Sequence, residues 1–401
     1  MSAAARTRPD HRPLWPVDAV VEQETDRAHV RGTHRALPPE KTWELVRPVA
    51  EHAGVTRVAD VTWLDCIGIP TFQAVRPRAR SLSVSQGKGV TPMLAKVSAV
   101  MESVELWHAE HLEPPAVLRA PIREVAPSLG YDPFRLCMTS PTVLTDDMPL
   151  AWLPARRLGS DGTTFVPRDF VDMDGTLRAQ WCPPTFAGSS NGLSSGNTRT
   201  EATLHGLYEV IERESIAAAL ERPRASWAYL DPDSLPPVAR GLVERFRAAG
   251  VSLVVSDVTG ATGIPVYHAY GWSDGFPLRM SGAGCHLDPD VALCRALTEA
   301  AQARITQIAG SRDDLKNRSW RLLRDSVFEA HALPERTSAF DPTRHPGPGE
   351  GTLADDLDRI TGLVRGVAGV APLVVDLTKP DVGLPVVKVV VPGFRYGEVE
   401  V

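Results

Sequence analysis

Two stretches of this chain carry like-charged side chains where a helix meets its core, and any fold must bring positive charge to them. Residues 85–111 read SQGKGVTPMLAKVSAVMESVELWHAEH. At about 100° per residue, Leu94, Val97, Met101 and Val104 make one apolar stripe, and Ser98, Glu102 and Glu105 lie beside it rather than opposite. Residues 191–215 read NGLSSGNTRTEATLHGLYEVIERES. Here Leu204, Tyr208 and Ile211 form the apolar stripe, and Glu201, His205, Glu209 and Glu212 cluster at its border. The spacing Ser98-xxx-Glu102-xx-Glu105 is echoed by His205-xxx-Glu209-xx-Glu212. Glutamates three apart on a helix repel by ~0.2–0.5 kcal/mol, and one such pair is ordinarily a wet edge. The same pairing on two helices, at the core boundary both times, points to shared cations. Hard oxygen ligands suit Mg2+, above all where a substrate's phosphates complete the shell.

A third helical segment, residues 282–305 (GAGCHLDPDVALCRALTEAAQARI), puts Arg295, Glu299 and Gln302 on one face, with Arg304 following near its end. By itself it reads as a plain amphipathic helix. Ser85-Gln86-Gly87-Lys88-Gly89 precedes the first helix, and residues 191–197 (NGLSSGN) precede the second. Both read as loops whose glycines let the backbone approach a phosphate at a helix N-terminus, although Gly87-Lys88-Gly89 alone is equally a turn. Neither is a Walker A loop, because GxxxxGK[ST] is absent.

Around these segments the pattern is mixed α/β. A helix is expected over residues 39–53, opened by Pro38-Pro39. Strands are expected over 252–258, 265–269 and 385–391. Residues 114–133 and 334–351 are proline-punctuated and read as loops. Residues 1–28 read as a flexible arm, 29–396 as a single domain and 397–401 as a tail. No solenoid repeat is visible. The 401 residues are 43% hydrophobic, ample for a core without metal or disulfide staples, and the formal net charge of −6 speaks against a nucleic-acid partner. Cys66, Cys137, Cys182, Cys285 and Cys294 form no CxxC pair, as in a reduced cytoplasmic protein. The N-terminus lacks a signal-peptide h-region, and no apolar run of about 18 residues suggests a membrane span.

Taken together the segments resemble the YcaO family. The resemblance rests on SxxxExxE at Ser98, NGxxxGNTxxEAxxHGLxEVIER from Asn191 and GxGCHxDPxxALxRALTEAAQxR from Gly282. GTHRALPPEKT, RVADVTWLDCIGIPTFQAVRP and the closing PVVKVVVPG extend it over nearly the whole chain. It implies a YcaO-like α/β (α+β) fold, with mixed sheets and helices around a central ATP cavity. It implies ATP and Mg2+ as cofactors, with Glu102, Glu105, Glu209 and Glu212 facing the metal. Ser98, Asn197, Glu201, Arg213, Lys88 and Gln302 would place the nucleotide, Arg35 and Thr42 would be an N-terminal contacting pair, and Arg304 would approach the phosphates. Glu102, Glu209 and Arg304 are thereby the catalytic set.

The implied reaction is ATP-dependent phosphorylation of a peptide amide oxygen, which a nucleophile then replaces. The product is a thiazoline or other azoline, an amidine or a thioamide in a ribosomally made precursor peptide, as in peptide natural-product and antibiotic biosynthesis. Two departures matter. Leu106 stands where the fuller motif SxxxExxER has arginine, and the chain ends GFRYGEVEV rather than in a proline-rich tail. They turn the comparison toward stand-alone or TfuA-associated members, with a TfuA-like partner and a homodimer left open. Two rival readings stand beside it. One is a non-catalytic scaffold or nucleotide sensor. The other is a carboxylate-bridged dimetal oxidase using Glu105-xx-His108. His205 reads as a satisfied helix histidine in preference to a proton carrier.

Overall fold

Prolines and short polar caps decide where the main helices begin. The computed structural model describes residues 13–15, 28–30, 32–112, 118–140, 142–177, 185–312, 334–345 and 347–395. Helix α1 (Pro39–His52) starts on a proline, where the missing N–H costs nothing. In α2 (Pro92–Glu110) Thr91 accepts from the Leu94 N–H at 3.3 Å. In α5 (Arg199–Leu220) Thr198 accepts from the Glu201 N–H at 3.0 Å, and in α7 (Pro289–Ala309) Asp288 accepts from Asp290 at 2.9 Å.

The other elements are β1 (Ala28–Val30), β2 (Thr33–Arg35), β3 (Arg57–Asp60), β4 (Thr71–Val75), β5 (Val84–Lys88), β6 (Leu118–Pro121), α3 (Ile122–Leu129), β7 (Pro149–Arg157), β8 (Thr163–Pro167), α4 (Arg168–Val171) and β9 (Leu193–Ser195). After α5 come β10 (Ala228–Leu230), α6 (Pro237–Ala248), β11 (Ser252–Asp257), β12 (Val266–Ser273) and β13 (Phe276–Cys285). After α7 come α8 (Leu353–Ala368), β14 (Leu373–Asp376) and β15 (Val386–Val390). Strands pair antiparallel in the orders β1-β2, β3-β4-β5, β10-β11-β12-β13 and β6-β7-β14-β15-β9, with β8 on β7. The expected mixed α/β architecture is what the chain adopts.

Helix α2 lies on β4 and β5, α5 on β9 and β15, and α7 on β12 and β13. Glycines set these distances. A Cβ on Gly87 would sit 2.0 Å from the Ala99 backbone nitrogen, and one on Gly284 would sit 2.1 Å from the Ala292 carbonyl oxygen. The two segments expected to be phosphate loops are therefore largely strands, β5 and β9. Gly87, Gly89 and Gly196 admit a helix backbone, and Gly192 admits the Val389 carbonyl of β15, where the expectation was a ligand.

The same contact corrects the α2 stripe. Ala95, Ala99, Val100 and Val104 are fully buried, whereas Leu94, Val97 and Met101 face a cavity. Only small residues let α2 sit so close to Gly87. Residues 114–133, expected to be a loop, contain β6 and α3. Ile122, Val125 and Leu129 bury one helical face, and Pro127 falls where α3 is only eight residues long. Residues 334–345 and 347–351 are irregular, as expected, apart from one short 3-10 turn at Pro342–Arg344 and a single bridge from Ser338 to Leu230. Most of the expected N-terminal arm, and the tail at 397–401, lie outside the described residues. Residues 13–15 do not hang loose: Trp15 is 1% exposed and donates its N–H to the Val382 carbonyl at 2.8 Å. No helix among the described residues is long and apolar enough to cross a membrane.

Candidate active site

The three glycine-seated helices wall a cavity of ≈ 680 Å³. From α2 come Ser98, Glu102 and Glu105. From α5 come Glu201, His205, Glu209, Glu212 and Arg213, and from α7 come Arg295, Glu299 and Gln302. Strand β2, α1 and β5 add Arg35, Thr42 and Lys88, and Asn197 closes the wall. Every residue expected at the site lies here except Arg304.

Arg304 points the other way. Its Nε donates to both Asp65 carboxylate oxygens at 3.1 and 3.0 Å, its Nη1 donates to Ser273 Oγ at 3.1 Å, and its guanidinium sits 4.6 Å from the Phe276 ring. Gln302 and Arg304 are two apart on a helix, about 200° around the axis, so both cannot face one cavity. The expected phosphate role of Arg304 is corrected to a structural one. The cations that do line the cavity are Arg35, Lys88, Arg213, Arg295 and Arg312. Arg312 carried no signal in the sequence, since it follows the end of α7 and belongs to no periodic face.

At one end a polar network is already closed. Glu201 accepts from Arg35 Nη1 at 3.2 Å, from the Ala36 N–H at 2.8 Å and from Asn197 Nδ2 at 3.0 and 3.1 Å, while Thr42 Oγ1 donates to Asn197 Oδ1 at 2.8 Å. At the other end Lys88 donates to Glu299. Between them, Glu105 accepts from the N–H and Oγ of Ser195 at 2.8 and 2.6 Å, and Glu102 accepts from the Gln86 N–H at 3.3 Å.

These carboxylates open on the cavity yet sit inside the protein body, and burial governs their protonation. It pushes Glu102 up to about 7, aided by Glu105 and opposed chiefly by Arg312. Glu212 is likewise pushed to about 7 by burial and by Glu299. Burial raises Glu105 against the Ser195 hydrogen bonds, and raises Glu209 against Arg213. Burial also acts on Glu299, but Lys88 and then Arg213 outweigh it and hold that carboxyl low. His205 is held well below its usual range by burial, then by Arg35 and Arg295. It is therefore neutral, and its Nε2 accepts from Arg295 Nη1 at 3.2 Å.

The donor set fits a magnesium nucleotide. The four glutamates expected to face the metal line the cavity and offer hard carboxylate oxygens. Among the described residues no three His, Cys, Asp or Glu side chains are placed to hold a metal ion by themselves. Mg2+ is held by a few carboxylates together with substrate phosphates and water rather than by a protein cage, so these glutamates would need a nucleotide to complete its shell. Three buried nitrogens of cavity-lining residues, Gln86 Nε2, His205 Nδ1 and Arg295 Nε, have no protein partner. Unpaired buried donors favour an acceptor-rich ligand such as a triphosphate. The dimetal-oxidase reading does not survive: His108 is outside the cavity, its Nδ1 bonded to the Val104 carbonyl at 2.8 Å.

Comparisons with known proteins agree with this geometry. Residues 86–395 match the family model described as YcaO cyclodehydratase, ATP- and Mg2+-binding. The chain is 35% identical over 381 residues to an uncharacterised protein encoded in the tfuA 3' region of Rhizobium leguminosarum bv. trifolii, covering 90% of this chain and 88% of the relative. The structure of YcaO from Methanopyrus kandleri bound with AMPPCP and Mg2+ superimposes with a TM-score of 0.71 at 25% identity, covering 93% and 95% of the two chains. A heterocyclase in complex with substrate and cofactor gives a TM-score of 0.74 at 26% identity; 91% of this chain matches, and it spans 54% of that longer one. The chain belongs to the YcaO cyclodehydratase family. It is an enzyme that depends on ATP and Mg2+.

Proposed function

We propose that this cyclodehydratase activates a backbone amide of a ribosomally made precursor peptide by O-phosphorylation, so that a nucleophile can replace the amide oxygen. The product is an azoline such as a thiazoline, an amidine or a thioamide. The observation that carries the reading is the shared cavity, in which Glu102 and Glu105 of α2 meet Glu209 and Glu212 of α5. Those glutamates would hold Mg2+. Arg35, Thr42, Lys88, Ser98, Asn197, Glu201, Arg213 and Gln302 would place the nucleotide. Bound together, ATP and Mg2+ supply a transferable phosphoryl group and neutralise its charge.

An amide oxygen is a poor leaving group, and the protein's task is to position it and exclude water. The attacking thiol, hydroxyl, sulfide or amine belongs to the substrate side. Cys285 is fully buried and does not line the cavity, and burial and then Glu212 push its thiol well above the usual range, so the reading gives it no covalent part. The Asn197–Glu201–Arg35 network is satisfied within the protein, so it presents fixed dipoles without reorganisation. The relative from a tfuA 3' region supports a TfuA-like partner, and the reading includes a homodimer. Incubation with ATP, Mg2+ and precursor peptides, with and without that partner, is read by mass. Loss of one water, or exchange of oxygen for sulfur, with matching release of phosphate, is expected. Peptide modification that proceeds without ATP would falsify the reading.

A further inference from the structure

Ser281 of the cavity wall neighbours a strip of aromatic and arginine side chains on β12 and β13. Ser281 lines the cavity and pairs across the β12–β13 ladder with Tyr270. Residues two apart on a strand share a face, so Arg279 and Ser281 of β13 lie on the same side as Tyr270 and Trp272 of β12. That side is opposite to the one covered by α7, which lies over Gly282 and Gly284. Tyr270 and Trp272 stack with ring centroids 5.8 Å apart and 23° between planes. Two guanidinium groups flank the Tyr270 ring, Arg279 at 5.7 Å and Arg224 at 5.9 Å. Tyr229, on the same sheet face through the Tyr229–Ser256–His268 row, donates its hydroxyl to the Arg224 carbonyl at 2.9 Å and so ties that loop to the sheet. Trp272, Arg279, Arg224 and Tyr229 are all partly exposed, whereas Tyr270, 8% exposed, is the ring on which they are assembled.

The strip itself contributes two arginines, Arg224 and Arg279, and no carboxylate. Along the chain the carboxylates nearest the strip are Asp274 in the β12–β13 turn, Glu221, which is engaged by Arg395, and Asp231 and Asp233 beyond Tyr229, the second engaged by Arg247. Rigid aromatic rings bracketed by arginines are well suited to peptide recognition: the rings give contact area at low entropy cost, and guanidinium groups take carboxylates. Resting on the peptide-modifying reading above, we infer that the strip formed by Tyr270, Trp272, Arg279, Arg224 and Tyr229 seats the segment of the substrate peptide that flanks the reacting amide. That segment carries acidic side chains. Proximity at Ser281 leads the peptide from the strip to the phosphoryl-transfer cavity, and the strip sets specificity without touching the nucleotide.

The test uses the full chain and two fluorescein-labelled probe peptides, one alternating glutamate with glycine and one alternating lysine with glycine. Binding is read by anisotropy at low and high salt. The glutamate probe should bind, lose affinity with salt, and bind roughly tenfold more weakly to the Arg224→Gln/Arg279→Gln variant. Affinity for a fluorescent ATP analogue with Mg2+ should be unchanged in that variant, which also shows that it is folded. Glu209→Gln should retain the glutamate probe. Equal binding of the lysine probe overturns the inference. So does an unaltered glutamate affinity in the double variant, or a shift of that variant from dimer to monomer with no peptide effect. Probe binding as expected, with no mass change in any precursor peptide, would leave the strip standing and sink the reading of the reaction instead.

Discussion

Two carboxylates and one arginine show how position on a helix decides which side chains reach the cavity. Glu102 and Glu209 face the cavity from different helices, and burial makes their negative charge unfavourable until a cation arrives. Glu102→Gln or Glu209→Gln should therefore lower turnover by at least about a hundredfold. The far-ultraviolet circular dichroism should be unchanged, and the melting temperature measured without Mg2+ should rise. Arg304 should behave in the opposite way. Arg304→Met leaves Asp65 buried without its partner and should cost ~3–5 kcal/mol of stability, with the KM for ATP within about twofold of wild type. Asp65→Leu added to it should restore much of the loss. A tenfold rise in that KM in a folded Arg304→Met protein would return the arginine to the phosphates. Residue identity was legible where side chains shared a helical face: Ser98 with Glu102 and Glu105, or Glu201 with His205 and Glu212. It failed for Arg304, whose neighbour Gln302 took the cavity side, and for Arg312, which follows the end of α7.

Each site helix depends on contact with a strand at a distance only glycine or alanine permits. Gly87 lies under Ala95 and Ala99 of α2, and Gly282 and Gly284 lie under Ala292, Ala296 and Ala300 of α7. Gly206 of α5 repeats the device in reverse, since a Cβ there would meet Val389 Cγ2 at 2.7 Å. The glycines near Lys88 are thus structural, which the sequence could not disclose: a glycine that admits a ligand and one that admits a helix look alike until the partner strand is known. Gly87→Ala should push α2 off β5 and cost ~1–3 kcal/mol. Because Glu102 and Glu105 ride on α2, activity should fall further than stability at a temperature where the variant remains folded. Chemical denaturation and a phosphate-release assay on the same sample separate the two, and unaltered turnover would show that α2 tolerates the displacement. Long helices were legible from apolar spacing with ends within a few residues. The short β6 and α3 were masked by three nearby prolines, Pro121, Pro127 and Pro133, and strand partners such as β15 with β9 join residues too far apart in sequence to be read from pattern.

At the scale of the whole molecule, the cavity collects acidic side chains whose protonation couples to folding and to nucleotide binding. Glu102 and Glu212 are pushed to about 7 from an ordinary 4.5. A carboxyl whose folded pKa lies above its unfolded one binds its proton more tightly when folded. Its linked stability is fully present below about 4.5 and is lost as pH rises through about 7. Buried histidines act with the opposite sign. Burial lowers His108 and His268 to about 4 and holds His205 and His286 far down, so the unfolded chain takes up their protons first, and stability rises with pH toward 6.5. The two trends overlap below pH 6.5, so the raw pH profile of the wild type does not separate them. The difference between Glu102→Gln and wild type does, because both share the histidines. Without Mg2+ that difference in melting temperature should be small near pH 5, grow in favour of the variant through pH 7, and level off above about 8. Saturating ATP with Mg2+ should reverse its sign at pH 8, since the cation binds the wild-type carboxylate and not the amide, and chelation with EDTA should restore the metal-free order. A difference that stays flat from pH 5 to 8 would mean that Glu102 is ionised throughout, with Arg312 as its standing counter-ion and no proton to release when the metal binds.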